Sequence, residues 1–235
     1  MFLQLHQGDL QKFEIIHKMV FLLVLILFVR NLGNILKIVI VGESGVGKTN
    51  FLFRFIESKY MNVVAPTLGI DYKSKVCTLP KSKKNVKINL WDTAGQERYM
   101  SLNKIFFQRV QGVMLMYDIT NRESYEKLSK WAKFINEQAY SVPVILIGNK
   151  VDDESENRIV RKEEGKNFAK QHGYLFYEAS ALNGKNVDNA FYSLCESCIS
   201  KLEESVVLNV SASTSLLDYF SIKQKKKKAE KDYCC

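Results

Sequence analysis

Residues 42–49, GESGVGKT, carry a glycine at the first and sixth positions, followed directly by Lys and Thr. That order of residue types suits a polyphosphate. Backbone N–H groups of Gly42, Glu43, Ser44, Gly45, Val46 and Gly47, with those of a helix starting at Lys48, would point at phosphate oxygens. The Lys48 ammonium would reach the β- and γ-phosphates, and the Thr49 hydroxyl would bind Mg²⁺. A glycine-rich turn before a helix requires neither Lys nor Thr at those places. The run alone does not tell ATP from GTP.

The segment NKVD, with Asn149, Lys150 and Asp152, directly follows the apolar run VILIG. Ligands of open α/β sheets bind at the carboxyl ends of such strands. A carboxylate there, Asp152, can accept hydrogen bonds from both the N1–H and the exocyclic amine of guanine, donors that adenine lacks on that edge. A third stretch, WDTAGQER at 91–98, supplies Asp92 for Mg²⁺ through water, Gly95 for close backbone approach to a γ-phosphate, and Gln96 to orient an attacking water. Thr67, between these stretches, would complete the Mg²⁺ shell only when its loop folds over the nucleotide.

These residues must be held at the ends of strands. Residues 35–41, ILKIVIV, form a short apolar run rich in β-branched residues, the pattern of a strand buried on both faces. Comparable runs at 113–117 and 144–147 alternate with helix-length stretches, which implies a parallel α/β sheet. Two further strands, about 70–79 and 86–91, are joined by PKSKKN, an exposed basic hairpin tip. Helices are expected at 48–57, 122–138, 162–172 and 187–202. The expected organisation is an N-terminal extension (1–34), a nucleotide-binding domain (35–202) and a flexible tail (203–235).

The formal charge is +9, with 46% hydrophobic residues, 3 Pro and 12 Gly, which excludes collagen-like, low-complexity and wholly disordered chains. Six basic and two acidic residues crowd into 221–235. A charge excess so placed points to an anionic membrane surface rather than to nucleic acid. The cysteines, Cys77, Cys195, Cys198, Cys234 and Cys235, lack the spacing of a disulfide scaffold or a zinc site, and suit a reducing compartment. Cys195 and Cys198 fall on one helical face as small core residues. Met19 to Val29 is apolar throughout, yet eleven helical residues span about 17 Å against a hydrocarbon core of about 30 Å. No small-residue cleavage pattern follows it. A peripheral helix, a strand-like extension and translated sequence foreign to the natural protein remain open for this run.

GESGVGKT, Thr67 within APTLGIDY, WDTAGQER, LMYDIT, NKVD and EASA, in that order and spacing, resemble a Ras-superfamily small GTPase, and LGIDY with the terminal CysCys resembles the Rab family. The resemblance covers about residues 36–202 and the C-terminus. It implies the small G-protein fold, a P-loop NTPase with a mostly parallel six-stranded sheet and helices on both faces. It further implies that Ser180, Ala181 and Leu182 form the last guanine-contacting loop, and that Tyr60 stacks on the base. Switch regions would lie near 60–72 and 94–110. Exchange factors, GTPase-activating proteins, effectors and a GDP-dissociation inhibitor would read them. Cys234 and Cys235 would receive geranylgeranyl groups from a transferase after an escort protein presents the domain, anchoring the protein to the cytosolic face of endomembranes or vesicles. Two such chains anchor stably where one is marginal.

The sequence departs from the family pattern in places. FFQRVQG at 106–112 stands where an aromatic pair, Arg, Gly and a small residue are usual. Val64 replaces a commonly aromatic residue, the PKSKKN hairpin is long, and residues 1–34 resemble nothing in the family. None of these touches a phosphate, Mg²⁺ or guanine ligand. The expected activity is slow GTP hydrolysis to GDP and phosphate, with Mg²⁺, in the regulation of vesicle traffic. A scaffold that exchanges nucleotide without hydrolysis conflicts with Gln96 and Gly95. A small-molecule kinase would need an Arg-bearing lid in place of NKVD and EASA, and a nucleic-acid binder would need a motif that is absent.

Overall fold

Strand β1 (Ile35–Gly42) lies inside the sheet, because its β-branched residues are buried almost without interruption and demand neighbours on both sides. The computed structural model describes residues 35–62, 70–93, 104–153 and 157–205, with the isolated residues His17 and Val20. Thr67, Gly95, Gln96, Val64, Cys234, Cys235, the Lys run and the apolar run at 19–29, except Val20, lie outside the described residues. Helix α1 (Lys48–Glu57) follows the phosphate-binding loop, and β2 (Ile70–Thr78) and β3 (Asn85–Thr93) form a hairpin. β4 (Gly112–Asp118), α2 (Arg122–Glu126), α3 (Leu128–Gln138) and β5 (Val144–Asn149) come next. A 3-10 turn (Val151–Asp153), α4 (Lys162–His172), β6 (Leu175–Glu178) and α5 (187–205) complete the order.

The six strands lie in the order β2-β3-β1-β4-β5-β6, with only β2 antiparallel to its neighbour. Val39, Val41, Val113, Leu115 and Tyr117 join Leu128, Trp131 and Ile135 of α3 and Phe168 of α4 in one core cluster. On the opposite face Phe55 of α1 stacks on Phe191 of α5, with ring centroids 3.9 Å apart. Cys195 and Cys198 are buried on α5, as expected, and burial raises both thiol pKa values. Residues Asn34–Ile199 form one unit; of the other, Met1–Gly33 with Ser200–Cys235, the structure describes His17, Val20 and 200–205.

Three features depart from the sequence reading. The single helix expected at 122–138 is two helices, because the chain tightens at Lys127, whose N–H serves both Glu123 O and Tyr125 O. Strand β6 has only four residues, three half-buried and Glu178 buried, too short for periodicity to reveal, and forms because β5 offers it a paired edge. The hairpin tip is basic and exposed at Lys81 and Lys83, but it is also fastened. Glu196 Oε1 on α5 accepts the N–H groups of Lys81 (2.8 Å) and Ser82 (3.0 Å). In FFQRVQG, Arg109 adopts φ 55°, a left-handed conformation, at the place where the family pattern has Gly. Gln111 completes the segment by pairing with the Lys37 backbone through both its side chain (2.7 Å) and its main chain (2.9 Å).

Helix α4 crosses the sheet at Gly165, where an added Cβ would come within 2.2 Å of Tyr117 Oη and 2.8 Å of Phe176 Cε2. Tyr117 is fully buried, so its ring has nowhere to move. Gly165→Ala is therefore expected to destabilise the protein by about 1–3 kcal/mol, despite the better helix propensity of alanine. A urea-unfolding midpoint as high as the parent's would contradict this packing.

Candidate functional site

The carboxyl ends of four neighbouring strands bring Gly42, Asp92 and Asn149, expected from the sequence, to one edge with Asp118. Gly42 ends β1, Asp92 lies at the end of β3, Asp118 ends β4 and Asn149 ends β5, with Asp118 and Asn149 in register. Gly42 has φ 141°, and a Cβ there would sit 2.2 Å from Met116 O, so only glycine lets β1 turn out of the sheet at this point. The loop bends back into α1 through Gly47 at φ 93°.

Lys48 folds over the loop it follows. Its Nζ donates to Gly42 O and Glu43 O, each at 2.8 Å, and the side chain is buried. Burial pushes the Lys48 ammonium down to about 8, opposed by the charges of Asp92 and Glu43. Thr49 Oγ1 donates to Asp92 Oδ2 at 2.5 Å. Burial raises the Asp92 carboxyl above its ordinary value, with the Thr49 hydrogen bond and Lys48 pulling the other way. Asp92 Oδ1 is buried and has no hydrogen-bond partner among the described residues. Two hard oxygens, one of them unsatisfied, are a donor set for a small divalent cation that takes its other ligands from phosphate and water. Among the described residues no cluster of three or more His, Cys, Asp or Glu could hold a metal.

At the other end of the loop, Asn149 joins two segments. Its Nδ2 donates to Val46 O at 2.8 Å, and its Oδ1 accepts the N–H of Ala181 at 3.1 Å. Lys150 is held at φ 74° and its Nζ lies 2.6 Å from Asp118 Oδ2. Asp152 is exposed, and its Oδ1 accepts a hydrogen bond from the buried Ser180 hydroxyl. Ser180 Oγ also accepts the N–H of Asn183 at 3.1 Å, which closes the turn that carries Ala181 and Leu182. Tyr60 is exposed, beyond the C-terminus of α1.

Three contributors were not singled out in the sequence. Asp118, within LMYDIT, holds Lys150 and accepts the N–H and the hydroxyl of Thr120. Its position as the last residue of a buried strand was the available signal. Lys127 and Trp131 converge on Glu43: Trp131 Nε1 donates to Oε1 at 2.9 Å and Lys127 Nζ to Oε2 at 3.1 Å. Nothing in the sequence links residues 43 and 131, because the contact exists only once α3 packs beside β1. Hydrogen bonding to Glu123 and then to Glu43 raises the Lys127 pKa.

A parallel sheet whose first strand runs through a lysine-bearing glycine loop into a helix, with an Asx-rich set at the ends of the next strands, defines a P-loop nucleotide-binding protein. The sequence matches the Ras family over residues 37–200. It is 40% identical to the Ras-related protein Rab-10 of Caenorhabditis elegans over 170 residues, 72% of this chain and 83% of that protein. It is also 40% identical to Ras-related protein Rab-3B of Mesocricetus auratus and of Homo sapiens over 195 residues, 80% of this chain and 88% of theirs. The chain belongs to the Ras family and, within it, to the Rab small GTPases. It binds guanine nucleotide, hydrolyses GTP to GDP and phosphate, and regulates vesicle-mediated transport in association with membranes, under the control of regulators and through effectors. Among the described residues no helix is long and apolar enough to cross a membrane.

Asn149→Ala removes both hydrogen bonds that hold Val46 and Ala181 together and leaves one buried acceptor and one buried donor unpaired. Guanine-nucleotide release is expected to accelerate by roughly ten- to a hundredfold, given about 1–3 kcal/mol for a stranded polar group. Stopped-flow release of a fluorescent GDP is the measurement, and an unchanged rate would show that the bridge does not support the site.

Proposed function

We propose that residues 35–202 form the GTPase domain of a lipid-anchored vesicle switch, that 1–34 is an extension to it, and that 203–235 is a hypervariable membrane-targeting tail. In this reading the backbone from Gly42 to Gly47 cradles the α- and β-phosphates, and Lys48 reaches the β- and γ-phosphates. Asp152 accepts the guanine N1–H and amine, Asn149 and Lys150 frame the base, the Ala181 N–H serves its carbonyl, and Ser180 and Leu182 shape that loop. Tyr60 stacks against the base.

Thr49, Thr67 and, through water, Asp92 would hold Mg²⁺, which when bound neutralises charge on the β- and γ-phosphate oxygens. The unsatisfied, buried Asp92 Oδ1 beside the Thr49–Asp92 hydrogen bond supports that assignment. Gln96 orients the attacking water, and the Gly95 N–H meets the γ-phosphate, so the two switch segments order around GTP and relax after hydrolysis. Hydrolysis without a partner is slow; an activating protein that supplies an Arg or Gln accelerates it by about 10³–10⁵. The remaining partners are an exchange factor, effectors, a GDP-dissociation inhibitor, an escort protein and a geranylgeranyl transferase acting on Cys234 and Cys235. The single observation that carries the reading is the Asn149 amide, which ties the phosphate loop at Val46 to the expected base loop at Ala181.

Asp152→Asn is expected to weaken guanine nucleotides and favour xanthine nucleotides, because xanthine presents a carbonyl where guanine has its amine and an amide can donate to it. Competition between GDP and XDP tests this, and an unchanged guanine preference would remove Asp152 from base recognition.

Gln96→Leu should keep GTP bound yet lose most of its hydrolysis, read by single-turnover phosphate release with and without a competent activating protein. Parent rates in both conditions would make the role given to Gln96 wrong.

Replacing Cys234 and Cys235 by Ser should release the protein from cell membranes while GTP binding persists, whereas removing Lys225 to Lys228 should only shift membrane preference and salt sensitivity. Fractionation of cells would refute the lipid anchor if the double Ser variant stayed on membranes and deletion of residues 1–34 released it.

A further inference from the structure

Asn50 and Arg54 belong to none of the phosphate, Mg²⁺ or guanine motifs, yet both reach out of α1 to backbone atoms at the edge of the site. They stand four residues apart, one above the other on a single helix face. Asn50 pairs with the main chain of Met61 in both directions, its Nδ2 donating to Met61 O and its Oδ1 accepting the Met61 N–H, each at 3.1 Å. Arg54 Nε donates to Ala181 O at 2.8 Å, Nη2 donates to Leu182 O, and Nη1 donates to Ser58 O at 3.0 Å. Ser58 is itself the left-handed residue (φ 56°) that ends α1, and its N–H returns to Arg54 O.

All five contacts grip backbone, so they set the course of the chain rather than match particular side chains. One grips Met61, directly after Tyr60. The other grips Ala181 and Leu182, in the loop expected to meet the base. The helix they stand on begins with Lys48 and Thr49, so the glycine-rich loop and both segments expected at the base are tied to one rigid element.

We propose that Asn50 and Arg54 are positioning residues for the nucleotide base: they staple the Tyr60–Met61 segment and the Ala181–Leu182 loop to α1, and loosening of these two staples sets the rate at which the base escapes. The inference rests on the assignment of Tyr60 and Ala181 to the base. Its functional content is that base release is governed from α1, apart from the Mg²⁺ ligands.

The test uses the full chain loaded with a fluorescent GDP, comparing the parent with Asn50→Ala, Arg54→Met and the double variant. Each single change should speed GDP release about tenfold, from the loss of two or three hydrogen bonds of ordinary net strength. The ratio of GDP to IDP affinity should also fall, since IDP lacks only the amine that a misplaced pocket ceases to read. Arg54→Lys, with a single donor group left, should fall between parent and Arg54→Met, and Asn50→Ser stands in if Asn50→Ala does not fold. Faster release with a parent-like GDP to IDP ratio would overturn the proposal, because a merely loosened fold releases both nucleotides alike. Parent-like release would overturn it too, and a parallel Asp152→Asn variant that gains xanthine preference would show that the base assignment stands without the staples. If Asp152→Asn keeps its guanine preference, the base assignment itself fails and the proposal falls with it.

Discussion

The site depends on one side chain, the amide of Asn149, which donates to the phosphate loop at Val46 and accepts from Ala181 on a loop more than thirty residues further along the chain. A buried amide that uses a donor and an acceptor in fixed directions holds two backbones at a set distance, and leaving either partner unpaired costs more than the bond contributes. The neighbouring residues obey that constraint. A Cβ on Gly47 would come within 2.5 Å of Asn149 Nδ2, so the loop can pass under the amide only as glycine. Lys150, next in the chain, is forced to φ 74°, a conformation that costs an L-residue about 1–3 kcal/mol and persists where the surroundings over-determine it.

Charge is balanced with similar economy around the loop. Glu43 places a carboxylate in the glycine-rich loop, an arrangement that would repel an approaching polyphosphate if the charge were left alone. Lys127 and Trp131 take both of its oxygens, and Lys48 binds its carbonyl, so the negative charge is spent on holding α3 against the loop. Lys48 and Asp92 lie buried close together, each losing hydration that a bound nucleotide and cation would replace with stronger partners.

Helix α1 joins these two parts. Its first turn carries Lys48, Thr49 and Asn50, the last reaching Met61, its second carries Arg54 toward Ala181, and its apolar side, with Phe51 and Phe55, packs on Phe191 of α5. One helical cylinder makes all these contacts, so the glycine-rich loop, Met61 and the Ala181 loop are tied to a common element. The polar residues on α1 thus have a role that hydrophobic periodicity assigns only to solvent.

What could be read from the amino-acid order was whatever short-range chemistry dictates. The glycines of GESGVGKT, the apolar runs of β1, β4 and β5, the helix at 48–57 and the turn after VILIG are consequences of local sterics and of a two- or 3.6-residue period, and the described chain follows them. The union of Lys48, Thr49 and Asp92 was also legible, because parallel strands in register must deliver their ends to one edge, whereas Ser180 beside Asp152 was implied only by the family resemblance. Tertiary packing alone decided the rest: the strand at 175–178, the Glu196 grip on the hairpin, the Trp131–Glu43 bond and the reach of Arg54 to Ala181. Each of these joins residues tens of positions apart or depends on a paired edge, and no local period encodes a partner that exists only after the sheet has formed.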